Sequence, residues 1–424
     1  MATSTTGSTE ITEEAELLAQ LVRIESTDPG AYEDQIERFV KDWFQRRIDQ
    51  AAELPGVVES AQDLLSSAVS LEELEVMPGR RCLRAMIHSS AVEPDSPVHP
   101  AGLTYLCHMD TVVLGDDWSE DIDPLDAQIR DGRLYGRGSC DMKGGLACAM
   151  LAFGNALDEV ARRGQLPTRS LAVVCTVDEE DIMRGSEAAI KADWLGTEGW
   201  IMDNEPTGGA IRMAHKGRTW FELTIHGITA HASTPWEGAD AIAGMAEAIR
   251  SVRLGVQALP HDEELGVSTV TFGQVKGGYS PYVVPDESTV TIDMRLVPPA
   301  NTQLAEEIVR EAIAQAQEAV PGVSGSYRIT GDRPPIPSNR ESGLLAAAQV
   351  AVQKVTGQSA PFDVFTGYTD TAVVAGLCGN KDCLSYGPGN LELAHKPNEY
   401  VPLADLTRVH GVLRQLVLTT AFGD

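Results

Sequence analysis

Basic residues are in short supply: 33 Lys and Arg stand against 62 Asp and Glu in 424 residues, a formal net charge of -29. The excess is spread along the chain rather than gathered in a tail. It would repel nucleic acid and anionic membrane surfaces alike, which sets both aside as partners. No apolar stretch approaches a transmembrane span, and the opening MATSTTGSTEITEEAE has no segment like a secretory signal, so a cytoplasmic location is expected. The seven cysteines include no CxxC pair and sit mostly in apolar runs such as LTYLC and LAVVCTV, the pattern of buried thiols. Glycine and proline have only a modest share, and 43% hydrophobic with 22% charged residues excludes collagen, coiled coil and wholesale disorder. What is there is a chain longer than one compact core usually needs, so two domains or one domain with a large insertion are expected.

The first ten or so residues are rich in Ser, Thr and Gly and are expected as a frayed tail. Apolar residues at three- and four-residue spacing predict helices in EEAELLAQLVRI and DQIERFVKDWFQRR. ESAQDLLSSAVSLEEL fits one more amphipathic helix within a structural insertion over residues 50–80. Three apolar runs, Leu103–Cys107, Leu171–Val177 and Trp200–Met202, predict buried strands that each end in charged residues. Between the first two lies the small-residue helix GGLACAMLAFGNAL, and strands alternating with helices predict a mostly parallel sheet. Ligand sites in such sheets gather at the carboxyl ends of the strands, where His108, Glu179, Glu180, Asp203 and Glu205 fall.

From about residue 215 the period changes. Phe221, Leu223 and Ile225 alternate with Glu222, Thr224 and His226, then come helix GADAIAGMAEAIRSV, strands VSTVTFGQV and STVTIDMRLV, helix TQLAEEIVREAIAQAQEAV and strand SYRIT. The order β-α-β-β-α-β is ferredoxin-like. The larger α/β region resumes near 335 with LLAAAQVAVQKV, the DVFTGYTDTAV segment and a last helix over 403–420. The expected fold is α/β: a catalytic domain with a mixed, mostly parallel sheet in two pieces, 1–213 and 332–424, and an inserted ferredoxin-like α+β domain over 214–331.

The strongest local signal is HMD at 108–110 followed by GRLYGRGSCDMKGG at 132–145. Imidazole and carboxylate are the usual nitrogen and oxygen ligands of zinc and similar metals, and a carboxylate between two cations bridges them. Asp141 is the natural bridge, and Asp110 is spaced to orient His108 through its other ring nitrogen. A lone His after an apolar strand is more often a satisfied core residue, but that explanation has to cover a series. TVDEED at 176–181 sets Glu179 beside Glu180, two carboxylates that repel unless a cation or shared proton relieves them. One can ligate while the other takes a proton from water; the plain alternative is a solvated acidic loop. Glu205 in DNEPT and His395 in ELAHKPNEYV would complete two sites, His108–Asp141–Glu205 and Asp141–Glu180–His395.

In that order, HxD, GRGxxDMKGG, an EE pair, EPT and a late His, the chain resembles the co-catalytic metallopeptidase family that includes aminoacylase, carboxypeptidase G, acetylornithine deacetylase and succinyl-diaminopimelate desuccinylase. The likeness spans roughly residues 15–420. It implies two divalent ions per chain, zinc, cobalt or manganese, with Glu179 as general base and Glu180 and Glu205 as ligands. Asp203 is the alternative ligand to Glu205. It further implies an inserted domain that dimerises, with His231 of GITAHASTP presented across the dimer to stabilise a developing oxyanion. Arg295 in TIDMRLV becomes a clamp on a substrate carboxylate, against the plain reading of an exposed ion pair with Asp293. One departure stands out: SPYVVPDE carries Tyr282 where relatives commonly carry Asn, and GYTDTAV carries Tyr368 where small residues are frequent.

The leading expectation is therefore hydrolysis of a C–N bond, as in an N-acyl amino acid or dipeptide-like amide, in a small carboxylate-bearing molecule by a homodimer or higher homo-oligomer. Hydrolytic deamination of an aromatic amino acid by the same centre is the second reading. A metal-binding protein without catalysis is the third, and it requires loss of a base or ligands that are all present.

Overall fold

The computed structural model describes residues 11–54, 59–90 and 102–424, so the expected tail lies outside the described residues except at its end. The chain forms two compact units. One takes in the described residues up to Arg212 with Asn339–Asp363 and Thr369–Asp424; the other is Met213–Ser338 with Val364–Tyr368.

The first unit is organised by a mixed sheet. Its strands run in the order Val69–Met77, Arg80–Ile87, Leu171–Thr176, Leu103–His108, Trp200–Pro206 and Cys383–Gly387, and the sheet continues through Ile211–His215 and Phe362–Phe365. The four strands from Leu171–Thr176 to Cys383–Gly387 are parallel to one another, with antiparallel strands on either side of them. Their near-continuous burial is what a sheet covered on both faces requires. Leu106 packs with Ala189, Leu195 and Val374 on one face, while the neighbouring Tyr105 points the other way and donates its hydroxyl to Leu413 O at 2.6 Å.

Helix Lys143–Arg163 is buried along most of its length and ends on Gly164 in the left-handed conformation, φ 60°. Its first turn approaches the sheet so closely that a Cβ on Gly145 would lie 2.0 Å from Asn204 O. Only glycine permits that approach, and it brings Asp141, just before the helix, up to the strand carrying Glu205. A small sheet of Tyr400–Pro402, Arg133–Tyr135 and Gln128–Arg130 joins the late-His segment to the one preceding Asp141.

One expectation fails between 59 and 77. The helix stops at Ala68, and Val69–Met77 pairs antiparallel with Arg80–Ile87 across a Pro78–Gly79 turn, Gly79 having φ 78°. Leu71 and Leu74 are three apart and mimic a helical stripe, but the turn and the partner strand override that local signal. Of the seven cysteines, six are buried and Cys378 is partly exposed.

The second unit is an antiparallel sheet in the order Thr269–Gly277, Glu287–Leu296, Gly217–His226, Ser324–Arg333. Helices Ala241–Gln257 and Thr302–Ala319 pack on it around Phe221, Leu223, Ile225, Val290, Ile292 and Met294. Those side chains are the inward set of two strands with clean alternation. Among the described residues, no helix is long and apolar enough to cross a membrane.

Candidate active site

The parallel register sets the site. His108 ends its strand opposite Thr176, and Leu106 faces Asp203, so the loop after Thr176 and the Asp203–Glu205 stretch converge on the His108 end. Asp141 arrives from the helix start and His395 from the late segment.

His108 Nδ1 lies 2.9 Å from the Asp110 carbonyl oxygen. A carbonyl only accepts, so Nδ1 carries a proton, and Nε2 is the nitrogen left to a metal that displaces its own proton. Nε2 is 3.2 Å from Asp141 Oδ1, 3.6 Å from Glu205 Oε1 and 4.0 Å from Glu179 Oε2. The other oxygen of Asp141, Oδ2, is 3.3 Å from His395 Nε2, and that nitrogen is 2.9 Å from Glu180 Oε2. Ligand atoms of His108, Asp141 and Glu180 lie within 4.8 Å of one another, as do those of His108, Glu179 and Glu205. All are close to buried except His395, whose side chain is 51% exposed and whose φ of 62° is in the left-handed region.

Four carboxylates share this small volume with two imidazoles. Burial, reinforced by neighbouring carboxylates, pushes Glu179 and Glu205 well above the ordinary range. Hydrogen bonds to Asp141 and Glu180 lift His395 to about 10. Burial is the largest single influence and opposes both charges in the Asp141–His108 pair, but their hydrogen bond, together with the one from His395 to Asp141 and the carboxylates around His108, outweighs it, holding Asp141 low and His108 high. A buried, acidic, mixed N/O donor set of this kind fits a pair of divalent cations, which would relieve the repulsion that protons relieve otherwise.

Asp110 meets the other ring nitrogen of His108 through its backbone carbonyl rather than its carboxylate. Its carboxylate Oδ1 is 3.7 Å from His108 Nδ1, beyond a hydrogen bond, while the backbone carbonyl is 2.9 Å from it. Oδ2 instead accepts from the Glu180 backbone N–H at 3.0 Å and so anchors the loop bearing Glu179 and Glu180. Asp203 belongs to none of these ligand-atom groups: Oδ2 accepts the Thr371 hydroxyl at 2.7 Å.

The remaining candidates lie in the second unit. His231 sits in an exposed loop bridged to Val283, with Nδ1 accepting from Ser233 N at 3.1 Å, so Nε2 carries the proton. The adjacent backbone at Ala232 donates to Tyr282 O, and Tyr282 is 66% exposed. Arg295 pairs with Asp293 at 2.9 Å on the same strand, the plain alternative for that residue. Tyr368 is buried and meets the edge of His215 at 6.2 Å between ring centres.

Sequence reasoning missed two buried charges, Arg137 and Glu399, paired at 2.6 Å. Both stand inside motifs already singled out, GRGSCD and HKPNE, but their pairing joins segments far apart in the chain.

A parallel-sheet unit with this donor set at its strand ends, joined to an antiparallel α+β unit, defines a metal-dependent hydrolase of the metallopeptidase and amidohydrolase class. The chain belongs to the peptidase family M20/M25/M40, which matches residues 105–419. It is 29% identical over 337 residues to an acetylornithine deacetylase of Myxococcus xanthus, covering 77% of this chain and 82% of that one. It is 28% identical over 323 residues to a probable succinyl-diaminopimelate desuccinylase of Staphylococcus aureus strain MRSA252, covering 69% and 77%. Among solved structures, a tripeptidase from Staphylococcus aureus matches with TM-score 0.73 and 22% identity over 96% of this chain and 98% of that one. A dinuclear metal-binding peptidase of the M20 family from Bacillus subtilis matches with TM-score 0.67 and 16% identity, covering 96% and 98%. These likenesses carry the fold.

Proposed function

We propose that the chain hydrolyses the amide bond of an N-acyl amino acid or dipeptide-like molecule at a two-metal centre. One ion would be held by His108, Asp141 and Glu205, the other by Asp141, Glu180 and His395. The observation that carries the reading is the division of the Asp141 carboxylate, one oxygen toward each imidazole. When bound, the cations supply positive charge that polarises the substrate carbonyl and acidifies a water; zinc, cobalt and manganese all suit the donors.

The protein's own groups do the rest. The Asp110 carbonyl fixes the tautomer of His108, and the Asp110 carboxylate holds the Glu180 backbone. Glu179 stands beside the centre without a close imidazole partner, its nearest His108 contact being 4.0 Å. It takes the proton of the attacking water and returns it to the leaving nitrogen as the C–N bond breaks, giving a carboxylate and an amine.

The same reading makes the stretches 1–213 and 332–424 the catalytic domain and 214–331 a dimerising insertion, with His231 of one protomer donating through Nε2 to the oxyanion in its partner's site and Arg295 holding the substrate carboxylate. A proton on Nε2 of His231 supports that role. Two relatives named for removal of an acetyl and a succinyl group support an acyl substrate. The exposure of Tyr282 lends nothing to an aromatic pocket, so deamination gains no support.

The test is Glu179→Gln. It removes the proton acceptor and no ligand, so metal content by elemental analysis should stay at two ions per chain while kcat on acyl amino acids falls by about 100-fold or more. Turnover near that of the unmodified enzyme would overturn the assignment of the base.

A further inference from the structure

Resting on that reading of the metal centre, we propose that Glu399 and Arg137 form a buried positioning pair that holds the second metal site together by tying the bridging Asp141 to the segment carrying His395.

Glu399 is almost fully buried and uses both oxygens. Oε1 accepts from the backbone N–H of Cys140 at 2.9 Å and of Asp141 at 3.1 Å; Oε2 accepts from Arg137 Nη1 at 2.6 Å. One carboxylate therefore clamps the backbone of the bridging residue itself. Gly136 N donates to Glu399 O at 3.0 Å, and Tyr400 pairs with Tyr135, so the same contact continues as a short antiparallel ladder.

Arg137 spreads the clamp outward. Nε donates to Val113 O at 3.2 Å, Nη2 to Leu114 O at 2.9 Å and Nη1 to Lys396 O at 3.4 Å, directly after His395. A planar guanidinium supplies these donors in a fixed fork; a lysine ammonium cannot reach them together.

The late segment needs such a clamp. His395 and Asn398 both have left-handed backbones, φ 62° and 58°, which non-glycine residues adopt at a cost and keep only when their surroundings hold them. His395 is also the one proposed ligand with a half-exposed side chain. By contrast His108 ends a buried strand and Glu205 lies within one. Loosening the pair should therefore release His395 well before the His108–Asp141–Glu205 set. Glu399 and Arg137 touch none of the reacting atoms, so their role is positional: they set where two ligands stand.

The experiment is stepwise binding of Co2+ to the metal-free full-length chain, followed by calorimetry and by cobalt visible absorption, for the unmodified protein, Glu399→Gln and Arg137→Lys. In Glu399→Gln an amide NH2 must face either Arg137 or the two backbone N–H groups, donor against donor, whichever way it turns. The expected result is two ions bound by the unmodified protein, with the affinity for the weaker one reduced about 10- to 100-fold in both variants and the tighter one changed far less. Glu14→Gln, which removes the negative charge paired with His410 remote from this clamp, serves as a control and should leave both affinities unchanged. Two ions bound with unmodified affinities in Arg137→Lys would overturn the positioning role while leaving the two-metal reading intact, even if Glu399→Gln fails to fold. Equal weakening of both ions would overturn it too. Fewer than two ions in the unmodified protein would bring down the metal-centre reading itself, and this inference with it.

Discussion

Asp141 Oδ2 stands 3.3 Å from His395 Nε2, while its other oxygen faces His108 at 3.2 Å. A carboxylate so placed belongs to both halves of the centre. Replacing it removes a ligand from each proposed ion at once, whereas replacing Glu205 or Glu180 removes a ligand from one.

Asp141→Asn is accordingly expected to lose both ions together, with stoichiometry falling toward zero, while Glu180→Gln keeps one. Elemental analysis after dialysis reads the difference. Because a neutral amide also removes negative charge from a crowded cluster, the metal-free form of Asp141→Asn should fold without difficulty, which far-UV circular dichroism checks. One ion retained in Asp141→Asn would show that the residue serves a single site.

The residues of the candidate centre were legible in the sequence because metal chemistry restricts residue type: only a few side chains can ligate, and His108, Asp141, Glu180, Glu205 and His395, which the fold brings together, stand in short recognisable strings. The helix Lys143–Arg163 and the buried strands were legible for the same kind of reason, since burial on all sides leaves an apolar run. What stayed hidden depends on partners distant in sequence. Val69–Met77 becomes a strand only because Arg80–Ile87 folds back on it. Whether the Asp110 carbonyl or carboxylate meets His108 is decided by backbone geometry that spacing does not encode. The Arg137–Glu399 pair joins two motifs whose contact the one-dimensional pattern cannot express.

The assignment of His231 to a neighbouring protomer makes a prediction about mixtures. Glu179→Gln and His231→Ala homodimers should each be nearly inactive, for different missing groups. After subunit exchange, a mixed dimer contains one site with both Glu179 and His231 intact. Activity should rise with time of mixing toward about a quarter of the unmodified level, if exchange is random and half the dimers are mixed. No rise, with exchange demonstrated by tagged chains, would leave His231 acting within its own chain or in no catalytic role.

The last prediction concerns pH and a residue outside the centre. Glu37, on helix Asp34–Ala52, is buried, and neither of its carboxylate oxygens accepts a hydrogen bond. Burial comes first and the neighbouring Glu73 second in pushing its pKa from the ordinary 4.5 to about 7; Arg81, 3.6 Å away, and Lys41 oppose the shift. The sign follows from proton counting. Between about 4.5 and 7 the folded chain holds a proton on Glu37 that the unfolded chain has released, so this group's contribution favours folding less and less as pH rises through that window. Above 7 the folded state carries a buried, unsatisfied charge. Glu37→Gln has no such proton to lose and keeps a polar side chain of the same shape. Its stability relative to the unmodified chain should thus be lowest near pH 4 and improve by about 3 kcal/mol by pH 8, an order of magnitude set by the size of the shift. Urea midpoints of both proteins at several pH values measure this directly. Curves that stay parallel from pH 4 to 8 would show that Glu37 titrates normally in the folded chain, and that Arg81 and Lys41 compensate its burial fully.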